Sequence, residues 1–113
     1  MLNHLIELEG FFIYNYKKFK FSMKLKFTNH KIKGEISDDF GNSSISGYIN
    51  KSEMKFLKSY YSGLSNDGYF IYNGKYNHSK KIIIGFWFQN CYPCNHGKFW
   101  LKLPEIDSFL DLL

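Results

Sequence analysis

The chain has 113 residues, 20% of them aromatic, and a formal charge of +5; that length fits one domain and leaves no room for a second. Alanine, valine and arginine are absent while Lys, Asn, Ile, Phe and Tyr abound, so the core must be built of Phe, Tyr, Trp and Ile, and the missing arginines reflect AT-rich codon usage rather than ligand choice. Nothing at the N-terminus has the order of a signal peptide and no apolar run is long enough to span a bilayer, so no membrane is expected and the chain reads as a cytoplasmic protein starting at Met1.

Residues 1–9 read as a short lead-in whose Leu2, Leu5, Ile6 and Leu8 could form a helical turn or cover an edge. Gly10 opens the first strand, GFFIYNY, and Lys17 and Lys18 turn the chain into KFKFSMKLKFTN. In that second stretch Phe19, Phe21, Met23, Leu25 and Phe27 alternate with residues that are nearly all lysine, period two over a full strand, with one face for a core and one for water. The lysine side reads first as a solvated outer face, with an anion-binding or nucleic-acid-binding surface as the alternative.

After the turn at Asn29 and His30 comes KIKGEISD, with Ile32, Gly34 and Ile36 on one side, then the hairpin turn DDFGN and a fourth strand, SSISGYIN. MKFLKSYY is the fifth strand; its register puts Met54, Phe56, Lys58 and Tyr60 on one face. YFIYNGKYN, KIIIGFWFQ and KFWLKL follow as the sixth, seventh and eighth, separated by SGLSNDG, the turn near His78, and NCYPCNHG. Glycine recurs inside these strands, in IKGEI, ISGYI, YNGKY and IIGFW, which implies tight coiling or close approach across a small barrel.

The fold class expected is therefore all-β: a single antiparallel up-and-down meander barrel of about eight strands over residues 10–103, followed by a short C-terminal helix over 104–113. That helix is expected from Ile106, Phe109, Leu110 and Leu113 at helical spacing, capping a barrel end or docking on a partner. Such a barrel is just wide enough to be filled by side chains or to hold one small ligand.

The succession G-F-F-I-Y-N, I-K-G-E-I, D-D-F-G-N, I-S-G-Y-I, F-L-K-S-Y, Y-N-G-K-Y, I-G-F-W and G-K-F-W-L resembles the strand grammar of calycin-type barrels, the avidin-like and lipocalin-like proteins, from Gly10 to Leu103. The resemblance implies a barrel that binds a ligand. It does not reproduce a biotin site, since the places of the polar residues that hold biotin in avidin-like members fall here on Tyr14, Ile36 and Phe99. Similar barrels also serve as cyclic-nucleotide sensors in bacterial antiphage effectors, and the resemblance extends to that use.

In a meander the loops alternate between two ends, so Asp38 to Asn42, Tyr61 to Gly68 and Asn90 to Gly97 share one end, and His30 and His78 lie at the other, about 25 Å away for eight residues. Within CYPCNH, Cys91, Cys94 and His96 could supply three zinc ligands, but a closed site wants a fourth that the other histidines cannot reach. Reduced structural thiols are the expectation; zinc and a redox disulfide are the alternatives. No phosphate loop or nucleophile elbow is present in the sequence, so neither catalysis nor a cofactor is expected.

The candidate ligand-binding residues converge on Lys58, an ammonium on the face shared by Phe56 and Tyr60, and on Asp38, which falls on the inward face after Ile36. Either the two are solvated or paired at the barrel mouth, or Lys58 anchors a ligand anion with Tyr14, Tyr48, Tyr60, Tyr72 and Trp87 as stacking or hydroxyl partners. Trp87 and Trp100 cannot both face inward without a register shift. The function expected is a non-catalytic binding module for a small anionic or nucleotide-like molecule, with a protein-interaction or inhibitor module second and single-stranded nucleic-acid binding third.

Overall fold

A computed structural model of the chain describes residues 4–61, 68–90 and 95–103, with the side chain of His4 excepted. Eight antiparallel strands follow one another around a closed barrel: β1 (His4–Tyr14), β2 (Lys17–Thr28), β3 (Lys31–Asp38), β4 (Gly41–Asn50), β5 (Glu53–Tyr60), β6 (Phe70–Asn77), β7 (Ile82–Gln89) and β8 (His96–Lys102). Each strand pairs with its neighbours in sequence, and β1 closes the ring on β8 through Glu9↔Lys102 to Phe12↔Phe99. The up-and-down meander expected from the alternation is thus the architecture. The C-terminal helix expected over 104–113 lies outside the described residues.

The alternation of β2 fixes its faces as expected: Phe21, Met23, Leu25 and Phe27 are buried while Lys20, Lys24 and Lys26 are exposed. One boundary differs from the sequence reading. The stretch assigned to a lead-in is strand from His4, paired with β2 through His4↔Phe27 and Glu7↔Lys24. Ile6 and Leu8 point into the core and Leu5 outward, so these leucines and the isoleucine obey a period of two rather than the helical spacing considered for them. Opposite charges on Glu7 and Lys24 face each other across the pair on the outer side, which favours this register.

Interior glycines mark where neighbouring strands approach closely. A Cβ on Gly34 would collide with the backbone of β2 at Lys24, and one on Gly85 would collide with the backbone of β6 at Asn73. Gly85 pairs with Gly74, so two glycines face each other across β6 and β7, a spot where the two backbones approach more closely than side chains would permit.

The interior is filled unevenly. Ile6, Phe27, Ile32, Ile49, Met54, Ile83 and Leu101 are buried toward the end where the β2–β3, β4–β5 and β6–β7 turns lie, and Phe56 and Phe99 pack against Tyr72 between the two ends. At the other end the inward positions are rings and polar groups, and the barrel opens there. That end carries the β1–β2 hairpin, whose Asn15 and Tyr16 both have positive φ, the pattern of a two-residue I′ turn, together with the β3–β4 turn and the β5–β6 and β7–β8 connections.

Candidate ligand site

Three strands bring the polar floor of the open end together. β5 turns Met54, Phe56, Lys58 and Tyr60 inward, and β3 ends with Asp38 on the same face as Ile32 and Ile36. Between them runs β4, whose residues at this level are Gly41 and Ser43, opposite Asp38 and Tyr60 respectively. A glycine and a serine there leave room for Asp38 to reach across β4. Ser43 is fully buried, its hydroxyl donating to the Ile36 carbonyl at 3.4 Å.

Asp38 uses both carboxylate oxygens. Oδ2 accepts from Lys58 Nζ at 2.6 Å and from the Tyr60 hydroxyl at 2.9 Å, and Oδ1 accepts from the backbone N–H of Phe40 at 2.8 Å. The side chains of the ion pair are 1% and 0% exposed, Lys58 and Asp38 respectively. Lys58 also reaches the Tyr72 hydroxyl at 3.5 Å. Four rings surround its ammonium, with centroids at 4.6 Å for Tyr60, 4.9 Å for Phe12, 5.6 Å for Tyr72 and 6.0 Å for Phe70, all within the range in which a ring face attracts a cation.

Burial governs the titration of this cluster. Loss of hydration pulls the Lys58 ammonium below its ordinary value, against the opposing pull of the Asp38 charge and hydrogen bond. The Tyr60 phenol is pushed far above its ordinary value by burial first and then by the Asp38 carboxylate, and Tyr72 is pushed up by the same two causes. Both phenols therefore stay protonated throughout the neutral range.

Above this floor opens a cavity of about 310 Å³, lined by Phe12, Tyr14, Phe40, Lys58, Tyr60, Phe70, Tyr72, Trp87, Gln89 and Asn95. Its walls are ring faces. Phe12 stands edge-on to Trp87 at 6.3 Å, Phe70 edge-on to Trp87 at 5.9 Å and Phe40 edge-on to Tyr14 at 5.8 Å. Trp87 is held in place by its indole N–H, which donates to the Ile13 carbonyl at 3.0 Å. Gln89 and Asn95 put amides on the lining, Asn95 Nδ2 donating to Gln89 Oε1 at 2.8 Å. Phe40, half exposed at the tip of the β3–β4 turn, leans over the opening against Phe19 at 5.0 Å.

Of the residues singled out in the sequence, Lys58, Tyr60, Asp38, Tyr14, Tyr72 and Trp87 meet at this end of the barrel. Lys58 and Asp38 are paired and withdrawn from water rather than solvated. Tyr48 does not join them. It lies on the outer wall, 45% exposed, because β4 turns Ile45 and Ile49 inward and parity sends Tyr48 outward. Trp100 is likewise outward, beside Phe11, Lys18 and Lys102 in a cleft on the outer wall, so the two tryptophans do face opposite ways. Ile36 and Phe99 are buried core residues.

The sequence reading missed Phe12, Phe40, Phe70, Gln89 and Asn95. Parity could have found three of them: Phe12 lies two residues from Tyr14, Phe70 two from Tyr72, and Gln89 two from Trp87. Phe40 and Asn95 lie outside the strands, where no periodicity applies. Cys91 and Cys94 fall outside the described residues; His96 is exposed at the start of β8. Among the described residues no three His, Cys, Asp or Glu side chains stand close enough together to hold a metal ion.

Searches against protein-family models, curated proteins and solved structures found no match to this chain. The functional argument therefore rests on the cavity itself.

Proposed function

We propose that this barrel is a non-catalytic binding module that holds one small nucleotide-like or similar anionic aromatic molecule in the open end. The observation that carries this reading is the cavity of about 310 Å³ walled by Phe12, Tyr14, Phe40, Phe70 and Trp87 above a buried ammonium. Its volume stands at the lower end of ligand pockets, suited to one small molecule, and a mostly apolar wall with a few convergent polar groups is the usual character of such sites. A barrel of eight strands has room for one ligand of this kind. The resemblance to avidin-like and lipocalin-like barrels supports the same use, with the ligand entering through one mouth, and a cyclic nucleotide is within the class.

Ring walls favour a planar ligand, because every ring-bearing molecule presents a π-face to stack or an edge to meet. Lys58, Tyr60, Gln89 and Asn95 supply hydrogen-bonding groups that would fix its orientation.

The test is a thermal-melt screen of the purified protein against mononucleotides and cyclic nucleotides, repeated on an Asn95→Trp variant that places a large ring at the lining. Binding to the folded state alone raises the melting temperature, by an amount that grows with the logarithm of the ligand concentration over its Kd. A stabilising nucleotide whose effect disappears in Asn95→Trp supports the reading. A nucleotide effect that is unchanged in Asn95→Trp, or none with any member of the panel, contradicts it.

A further inference from the structure

The charge at the floor of the cavity bears on which part of a nucleotide-like molecule would be inside. Among the described residues Lys58 is the cation of the cavity lining, and Asp38 already neutralises it at 2.6 Å. Asp38 is committed in turn: one oxygen serves both Lys58 and Tyr60, and the other holds the backbone N–H of Phe40. To release Lys58 for a ligand phosphate, the carboxylate would have to be left buried without its counter-charge. An added anion would otherwise sit in the same desolvated space with no charge opposite it, which is costly. Among the described residues the remaining lining is aromatic rings and two uncharged amides.

Resting on the reading of this cavity as the ligand site, we infer that it takes in the uncharged planar ring of its ligand first and leaves any phosphate or other anionic group at the mouth, in water. The ring lies among Phe12, Phe70 and Trp87. Among the described residues, Lys58 Nζ has Asp38 and, at a long 3.5 Å, Tyr72 as polar partners; an ammonium has three N–H groups, so a ring nitrogen or exocyclic oxygen can accept from it without disturbing the ion pair. Lys58 is on this account a reader of a ring acceptor and not a phosphate anchor. Selectivity follows the ring rather than the charge.

The experiment is calorimetric titration of the wild-type protein with four probes: nucleosides, their 5′-monophosphates, ribose 5-phosphate and inorganic phosphate, at low salt and at about ten times that concentration. At least one nucleoside is expected to bind within about threefold of its own monophosphate, ribose 5-phosphate and phosphate are expected not to bind, and the added salt should change the affinity by less than about threefold, since a ligand held without a net charge contact is little screened. If monophosphates bind while nucleosides do not, or if ribose 5-phosphate binds as well as a nucleotide and salt abolishes it, the ring-first orientation is overturned while the cavity remains a ligand site. If none of the probes binds, the nucleotide-like reading itself falls and the orientation with it.

Discussion

Asp38 Oδ2 meets Lys58 Nζ at 2.6 Å across 20 residues of chain, and neither side chain is accessible to water. A pair this deep gives up the hydration of two charges, so its net contribution to stability is small even though breaking it is expensive. Its structural effect is clearer. Through Asp38 the floor of the cavity is tied to Tyr60 on β5 and to the backbone of Phe40 in the turn that overhangs the opening.

Replacing Lys58 by Met therefore strands a buried carboxylate. The expected cost is about 3 to 5 kcal/mol in denaturant unfolding. Changing Asp38 to Asn in the same chain removes the stranded charge and should recover most of that loss, because an uncharged pair of similar volume is commonly as stable as the ion pair it replaces. A Lys58→Met protein as stable as wild type would contradict the pairing.

Stability should fall on the alkaline side. Tyr60 and Tyr72 hold their protons in the folded state beyond the ordinary value of 10.0 at which the unfolded chain releases them. Above that pH the unfolded state binds fewer protons than the folded one, so stability decreases as pH rises. Lys58 acts in the opposite sense: its pKa lies below 10.5 in the folded protein, so between that lowered value and 10.5 the unfolded state carries the extra proton and stability increases. Past 10.5 only the two phenols remain, and the loss should approach two protons' worth of slope. Melting temperatures measured against pH, with phenolate absorbance recorded alongside, should show two tyrosines that ionise only on unfolding.

The faces of β2 give a direct test of register. Leu25 is fully buried and Lys24 exposed; Leu25→Ala should cost about 2 to 5 kcal/mol and Lys24→Ala no more than about 0.5 kcal/mol. Equal effects of the two substitutions would refute the register.

Gly85→Ala probes the closeness of β6 and β7. Its methyl group would run into the Asn73 backbone opposite Gly74, so the ladder must open locally and a loss well above that of an exposed Lys24→Ala change is expected in the same unfolding assay.

The barrel was legible in the sequence because period two survives in nearly every strand and because turns such as Asp38 to Asn42 punctuate it. Parity also carried much of the site: Lys58 and Tyr60 could be placed inside from Met54 and Phe56 alone. Tyr48 was misassigned by attending to its chemistry ahead of its parity with Ile45 and Ile49. The strand character of His4 to Glu9 was obscured because Leu5 and Ile6 are adjacent apolar residues, and only the pairing with β2 decides which of them faces in. The contact of Asp38 with Lys58 depends on how far β3 and β5 lie apart around the ring and on Gly41 and Ser43 leaving space between them, and that of Phe40 with Tyr14 on how the β3–β4 turn lies over the mouth toward β1. Spacing along the chain does not encode that.

The claim that the open end is the ligand site is tested most directly by nuclear Overhauser contacts between the protons of a bound nucleotide or nucleoside and the protein's rings. The account predicts contacts from the ligand's planar ring to Phe12, Phe70 and Trp87. Contacts confined to Phe11 and Trp100 on the outer wall, with none to those three rings, would contradict it.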